Sequence, residues 1–361
     1  MLSSGAGVVG RFVLFPQATK SVGQEDLLGA AGDAAPQRQH VTVTGAKTIL
    51  MVGVDNRKDQ PVEDQIRADS IIVLHIPAAH DAAYLVSLPR DTRVTVPAFN
   101  NGKQRTGQQI AKLGEAYGLG GNGLVDPTER RKQSMGLLAK TIKEEWGLTF
   151  DAAAIVDFEG FKEVVKVLGG VDMYVDQETV SVHIGYKKDG TVAVPFRQSQ
   201  APNGGTKLTP IPGVTPQVYH VGNHHLTPDL ALDYVRQRET LPNSDYDRGR
   251  HQKQFLKAIV KQTLSAGVLA NPVKLNQILK VVGQAMTIDN GGIDLEDWIF
   301  AMRGIGGDSI TTLQTNNGTY NPSQQNLGQE ELDETTLGLL EAVRTQKVPE
   351  YVLAHPEVRS A

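Results

Sequence analysis

Three apolar runs of strand length constrain the fold of this 361-residue chain more than any other feature: TILMVGV at 48–54, SIIVLHI at 70–76 and AAYLVSL at 82–88. Odd and even positions are both apolar, so each strand must be covered on both faces, which places it inside a sheet rather than on its surface. The short His80-Asp81 connection predicts that the last two runs form a hairpin or lie side by side. The expected class is therefore α/β, a central, mostly buried β-sheet flanked by helices on both sides.

Helical periods supply the cover: Ile110, Leu113 and Tyr117; Leu138, Ile142 and Trp146; Phe161, Val164, Val165 and Leu168. Gly169-Gly170 stops the third, and 171–175 alternates as a strand. Pro, Gly and Thr crowd 177–222 around a Lys188-Asp189-Gly190 turn, which reads as an inserted hairpin plus a long loop. Thr227 and Pro228 open a short helix that runs to about Val235. A longer helix covers 247–265, with Phe255, Leu256, Ile259, Val260 and Leu264 as its core stripe and Gly267 beyond its end; another follows at 273–285. After an Asn/Gln-rich run at 314–329, a last helix is expected at 331–344. The organisation is a flexible lead-in at 1–44, a main domain at 45–315 carrying the 177–222 insertion, and a C-terminal polar segment and helix at 316–361.

Composition narrows the function classes. A formal net charge of −4 argues against nucleic-acid binding through an overall basic field, so any anion site must be focused. With no cysteine, neither a disulfide framework nor a thiolate metal site can form. The apolar stretch at 5–15 is interrupted by Arg11 and is about half the length that a bilayer span requires. No GxSxG elbow, Walker loop or strand-linked GxGxxG is present. His220, His224 and His225 sit in a Gly/Asn loop without a carboxylate at zinc-ligand spacing.

Five arginines remain, each in a short motif with an aspartate or another arginine: Arg67 in RADS, Arg90 in PRD, Arg236 and Arg238 in RQR, and Arg248 in DYDRGR. Guanidinium is a permanently charged planar fork that fits phosphate oxygens, so arginines converging from distant segments make an anion cradle. Carboxylates among them can hold a divalent cation against the same anion. Asp55 ends the first strand and Asp69 precedes the second. Arg90-Asp91 leaves the third strand at a rim. Arg236 and Arg238 point to one side if the chain there is extended and diverge if it is helical. DYDRGR opens the long helix, where free backbone N–H groups already favour an anion; Asp245 and Asp247 can equally serve there as caps.

In order, GVDNR (53–57), RADS (67–70), SLPRDT (87–92), KLGEAYGLGG (112–121), VDFEGF (156–161), LGGVDMYV (168–175), LALDYVRQR (230–238) and DYDRGRHQKQ (245–254) resemble the LytR-CpsA-Psr family. The resemblance spans about 45–265. It implies an α/β domain with an apolar lipid-binding groove, on the extracytoplasmic face of a Gram-positive type bacterium and usually anchored by one N-terminal helix, here expected ahead of Met1. Members move a glycopolymer such as a teichoic acid, capsule or arabinogalactan precursor from a polyprenyl-pyrophosphate carrier onto peptidoglycan. By that resemblance Arg67, Arg90, Lys112, Arg236, Arg238, Arg248 and Gln252 would bind the pyrophosphate, while Asp55 and Asp69 would bind Mg²⁺ (or Mn²⁺). The family usually reads closer to KINAAY where this chain has Lys112, Leu113, Gly114 and Glu115.

The expected reaction is attack by a peptidoglycan hydroxyl on the glycan-side phosphorus, with polyprenyl phosphate leaving and the arginines and metal stabilising charge. Arg90, Asp91 and Asp245 are the catalytic candidates, and either Asp91 or Asp245 can take the hydroxyl proton. Two rivals stand beside this reading: a pyrophosphatase acting on polyprenyl pyrophosphate, and a noncatalytic binder of anionic wall polymer.

Overall fold

The computed structural model describes residues 23–28, 42–54, 67–201 and 206–263, together with 273–360 except 274–276, 279, 282, 284–285, 295–296 and 299–300. Asp55, Leu264 and Gly267 lie outside the described residues, as does part of the helix expected at 273–285.

The three apolar runs form β2 (Lys47–Val54), β3 (Ala68–Ile76) and β4 (Ala83–Leu88) in the middle of a seven-stranded sheet. They are joined there by β1 (Gly23–Gln24), β7 (Ala152–Asp157), β14 (Met286–Asp289) and β15 (Ile310–Leu313), in the order β1-β14-β7-β2-β3-β4-β15. β3 and β4 form the expected antiparallel pair, with Ile71 opposite Leu88 and His75 opposite Tyr84. Their connection turns at His80, whose φ of 53° is left-handed.

Period-two geometry sends alternate residues to opposite faces. Val52, Ile71, Val73, Val86 and Leu88 meet α1 (Leu113–Gly121), α2 (Pro127–Trp146) and α6 (Glu334–Arg344) through Tyr117, Met135, Leu138, Ile142, Leu339 and Val343. On the other face, Ile72, Ile76 and Leu85 pack with Leu256 and Val260 of α5 (Asp245–Thr263). Val156 meets α3 (Phe158–Leu168), α4 (Pro228–Arg236) and Phe255 and Ile259 of α5. Each fully buried Val, Leu or Ile contributes roughly 1.5–3 kcal/mol, so replacing Val52 or Val73 by Asp would lose that gain and bury an unpaired charge as well.

Two local expectations are corrected. Ile110 is not on a helix: Gln109–Lys112 is strand β6, paired with β5 (Arg93–Val96), and Ile110 is 54% exposed. Helix α1 begins only at Leu113, because Lys112 is held at ψ 146° and serves as its cap. The 177–222 insertion is richer than a hairpin and loop. After β8 (Val171–Val175), β9 (Thr179–Lys187) pairs with β12 (Val214–Tyr219), and β10 (Phe196–Gln200) with β11 (Thr206–Pro210). Residues 222–226 then form β13 (Gly222–Leu226), which returns to β8. The β10–β11 pair is mostly exposed, so its side chains carry little apolar pattern from which a strand could be read. The main domain ends with β15 parallel to β4, and the C-terminal segment adds α6 and α7 (Val348–Ala354) to the main core.

Candidate active site

Antiparallel pairing decides where the functional side chains meet. Because β3 runs against β4, the start of β3 lies beside the end of β4, which brings Asp69 to Arg90 with Oδ1 2.5 Å from Nη1. Val54, the last residue of β2, pairs with Ala68, the residue before Asp69. Gly114 lets α1 approach this corner: its N–H donates to the Arg90 carbonyl at 2.8 Å. A Cβ there would stand 2.9 Å from the Ala68 carbonyl oxygen and 3.1 Å from Arg90 Cβ.

Helix α4 supplies the next arginine. Thr227 caps it, Pro228 occupies its first turn, and it ends at Arg236, after which Gln237 is extended at φ −66°, ψ 137°. Gln237 is fully buried, accepting from the Val182 N–H at 3.0 Å and donating to Asp233 Oδ1 at 2.8 Å. With Gln237 pinned inward, Arg238 reaches out to Glu239 at 2.9 Å and to Asp245 Oδ1 at 3.7 Å.

Asp245, at the start of α5, is the centre of the cluster. Its Oδ2 accepts from Arg90 Nε at 3.0 Å, and its Oδ1 lies 3.0 Å from Arg248 Nη2. Arg248 also donates to the Asp69 carbonyl at 3.2 Å. Guanidinium groups from three separate segments, Arg90, Arg238 and Arg248, thus converge on one carboxylate. Burial alone would push the Asp245 carboxyl up, but Arg248, Arg90 and Arg238 outweigh it and hold it below the usual carboxylate range. Asp245 is consequently ionised and a weak proton acceptor, well suited to hold the forks in place. Burial also depresses Arg248, against the pull of Asp245.

The other sequence candidates are distributed around this centre. Asp91 pairs with Lys112 at 3.0 Å, so its charge is already met. Arg67 is exposed at the residue before β3. Arg236 is half-buried at the end of α4. Asp247 is fully buried in the first turn of α5, where it accepts from the Asn243 N–H at 2.9 Å and pairs with Arg250, so it fastens the segment that enters the helix. Arg250 continues to Asp176 at 2.8 Å and to Gln177 Oε1 at 2.5 Å, tying α5 to the start of the insertion.

Arg90, Asp69, Asp245 and Arg248 line a cleft of about 660 Å³, including its open mouth. A second, smaller pocket, about 400 Å³ with its open mouth included, is lined by Met51, Gly53, Ile72, Val156, Phe255 and Leu256, together with Ser70 and Gln252. Ser70 and Gln252 line both spaces, so the polar cleft adjoins an apolar one between sheet and α5. Gln252 is 6% exposed and its Oε1 has no hydrogen-bond partner. A carbonyl oxygen left open at that wall suits a hydroxyl, a water or a hydrated cation.

The cleft also contains residues that pattern reading did not single out. Tyr246 lies inside the DYDRGR motif without an assigned role, and Lys253 follows one turn of α5 after Gly249. Lys253 is 3% exposed, donates to the Leu313 carbonyl at 2.5 Å, and is pushed down to about 7 by burial, with Arg250 adding to the effect. Glu330 follows directly on the Asn/Gln-rich run at 314–329, 85 residues after Asp245, and no local signal marks it.

The family model described as the LytR_cpsA_psr family matches residues 17–339. The chain is 26% identical over 286 residues to the cell wall biosynthesis protein LcpA of Corynebacterium glutamicum, covering 74% of this chain and 49% of that protein. It is 26% identical over 224 residues to the polyisoprenyl-teichoic acid–peptidoglycan teichoic acid transferase TagU of Bacillus mycoides, covering 62% and 55%. The chain thus spans about half the length of these curated relatives. The solved structure of TagT bound to LI-WTA superposes with a TM-score of 0.55 at 20% identity, over 89% of this chain and 98% of that one, which is a likeness of fold. By the extent of the family match and the order of its motifs, this chain belongs to the LytR_cpsA_psr family.

Proposed function

We propose that this chain transfers a glycopolymer from a polyprenyl-pyrophosphate carrier to a peptidoglycan hydroxyl at the extracytoplasmic face of the cell, forming a phosphodiester. The observation that carries the reading is the convergence of Arg90, Arg238 and Arg248 on one carboxylate, in a cleft that adjoins an apolar cavity. A diphosphate with a hydrocarbon tail has that combination of demands: several forked cationic donors at one end, an apolar trough at the other. The relatives' names point the same way, since TagU is a teichoic acid transferase and TagT binds LI-WTA.

In this reading the diphosphate oxygens replace Asp245 on the arginine forks. The prenyl chain passes Ser70 and Gln252 toward Ile72, Phe255 and Leu256. The acceptor hydroxyl forms a bond to the glycan-side phosphorus while the bond from that phosphorus to the bridging oxygen breaks, and polyprenyl phosphate leaves. The arginines stabilise the charge on the equatorial and bridging oxygens, which is where phosphoryl transfer needs help.

A divalent cation bound in the sparse manner of Mg²⁺ would need only one or two carboxylates, with phosphate oxygens and water filling its remaining positions. Asp69 would hold it from β3 and Asp55 from the residue after β2; Mn²⁺ satisfies the same oxygen set. When bound, it would neutralise diphosphate charge and orient the phosphoryl oxygens.

The test is product analysis with a synthetic polyprenyl-pyrophosphoryl disaccharide, with and without peptidoglycan strands. Release of polyprenyl monophosphate together with radiolabelled sugar on the strands, lost on chelation and restored by Mg²⁺, is the expected result. Acceptor-independent release of monophosphate would instead favour the pyrophosphatase, and saturable binding without release the noncatalytic binder.

A further inference from the structure

Phosphodiester formation requires a group to take the acceptor's proton, and three carboxylates of the cleft are committed elsewhere: Asp69 to Arg90, Asp91 to Lys112, and Asp245 to the guanidinium forks. A fourth carboxylate lines the same cleft. Glu330 is clamped by its own backbone, its N–H donating to the Asp91 carbonyl at 3.0 Å and its carbonyl accepting from the Arg93 N–H at 2.7 Å. These bonds hold it beside the loop that carries Arg90, although it arrives from the far C-terminal region.

The Glu330 side chain is 2% exposed and accepts from the Tyr246 hydroxyl, and Asn316 Nδ2 donates to both, at 2.9 Å to Tyr246 and 3.2 Å to Glu330 Oε2. Asn316 is itself fixed at a left-handed φ of 49°. It donates from Nδ2 to the Glu331 carbonyl at 2.9 Å, accepts at Oδ1 from the Asp333 N–H at 2.9 Å, and donates its own N–H to Thr336 at 2.8 Å. A phenol hydroxyl offers one hydrogen and two lone pairs. At Tyr246 the hydrogen goes to Glu330 and one lone pair to Asn316, which leaves the second lone pair for the cleft.

We propose that Tyr246 and Glu330 form the proton relay of the transfer reaction: Tyr246 oxygen accepts the acceptor hydroxyl's proton as its own proton passes to the Glu330 carboxylate. The inference rests on the transferase reading and deepens it. The balance is complete: the acceptor O–H breaks, the new O–P bond forms, and the proton held on Glu330 returns to solvent or to the departing polyprenyl phosphate. Tyr246 is the catalytic residue of the pair, and Glu330 acts through it. Burial raises the Glu330 carboxyl to about 7 against the hydrogen bonds from Tyr246 and Asn316, with Asp91 pushing it further up. Burial, with Glu330 beside it, likewise raises Tyr246, so the phenol stays neutral and passes a proton rather than losing one. The charged and titratable groups facing the pair are Asp91 with its partner Lys112 from the β4–β6 side, Tyr320 from the turn after β15, and Asp333 at the cap of α6.

A base must be ionised to act, so transfer by the unaltered chain should rise with pH through about 7. The experiment measures that profile with polyprenyl-pyrophosphoryl disaccharide and peptidoglycan strands, alongside donor KM and thermal unfolding. Glu330→Gln and Tyr246→Phe are each expected to lower kcat about a hundredfold or more with donor KM within about twofold, and Glu330→Gln should abolish the acidic limb. Glu330→Asp should recover part of kcat and keep the limb. Lys253→Met, which removes the other cleft group that titrates near 7, should also keep it. An acidic limb persisting in Glu330→Gln, a limb lost in Lys253→Met, or a loss of donor binding equal to the loss of rate would each overturn the relay. Absence of transfer by the unaltered chain would instead count against the transferase reading itself.

Discussion

Asp245→Asn tests whether the arginine cluster is a phosphate site whose place is held by a carboxylate. In the unliganded chain Asp245 is the shared counter-charge of Arg90 and Arg248 at 3.0 Å and of Arg238 at 3.7 Å. At an effective dielectric constant near 20, charges about 4 Å apart, centre to centre, are worth about 4 kcal/mol before desolvation is subtracted. The Asp245 side chain is 27% exposed, which screens part of that. Breaking a buried pair typically costs about 3–5 kcal/mol, so roughly 2–4 kcal/mol is expected here, or a fall in Tm of about 3–5 °C if unfolding entropy scales with chain length. The sign with pH follows from the depressed Asp245 carboxyl. Its contribution is full above the unfolded carboxylate value and disappears as pH falls through the lower folded one, so variant and parent should converge in acid.

The same substitution should tighten binding of inorganic pyrophosphate about tenfold or more, since the anion no longer competes with a carboxylate for the forks. Calorimetric titration at pH 7 measures this directly, and the pyrophosphate-induced rise in Tm should be larger in the variant than in the parent. Unchanged or weaker pyrophosphate binding would refute the reasoning, because Asp245 would then be holding the arginines for some purpose other than keeping a phosphate position.

Three further outcomes follow from the geometry. Gly114→Ala places a methyl 2.9 Å from the Ala68 carbonyl and 3.1 Å from Arg90 Cβ, so it should cost about 1–3 kcal/mol of stability and slow transfer by displacing Arg90; parental kcat in the purified variant would contradict this. Lys253, depressed to about 7, binds a proton more readily unfolded than folded between about 7 and its ordinary value. The parent should therefore gain stability with rising pH across that window, and Lys253→Met should flatten the gain in denaturant titrations. Ile72→Phe narrows the apolar cavity, so it should raise donor KM more for a long-chain polyprenyl donor than for a farnesyl one; equal changes would remove the prenyl chain from that cavity.

The central fold was legible because burial on both faces writes itself into composition: a strand that reads TILMVGV can only be interior, and β2, β3 and β4 are. The arginine cluster was legible for a different reason. Each of its members follows or begins an element whose end the sequence marks, Pro89 after β4 and Thr227-Pro228 at the start of α4, so the rim that they share could be inferred. Two kinds of feature escaped. Ile110 shares the apolar spacing of Leu113 and Tyr117 and so reads as helix, yet Gln109–Lys112 is a strand set by long-range pairing with β5, from Val96–Gln109 to Arg93–Lys112. Glu330 escaped because its position depends on backbone hydrogen bonds to Asp91 and Arg93, which any residue type can make and no pattern records. What distinguishes Glu330 from its polar neighbours is its side-chain pairing with Tyr246 and Asn316, which α5 and the segment after β15 bring to it from elsewhere in the chain. Local motifs therefore locate groups that grip a phosphate, whereas a group that moves a proton at the same site can be set by a chain segment whose sequence advertises nothing but solubility.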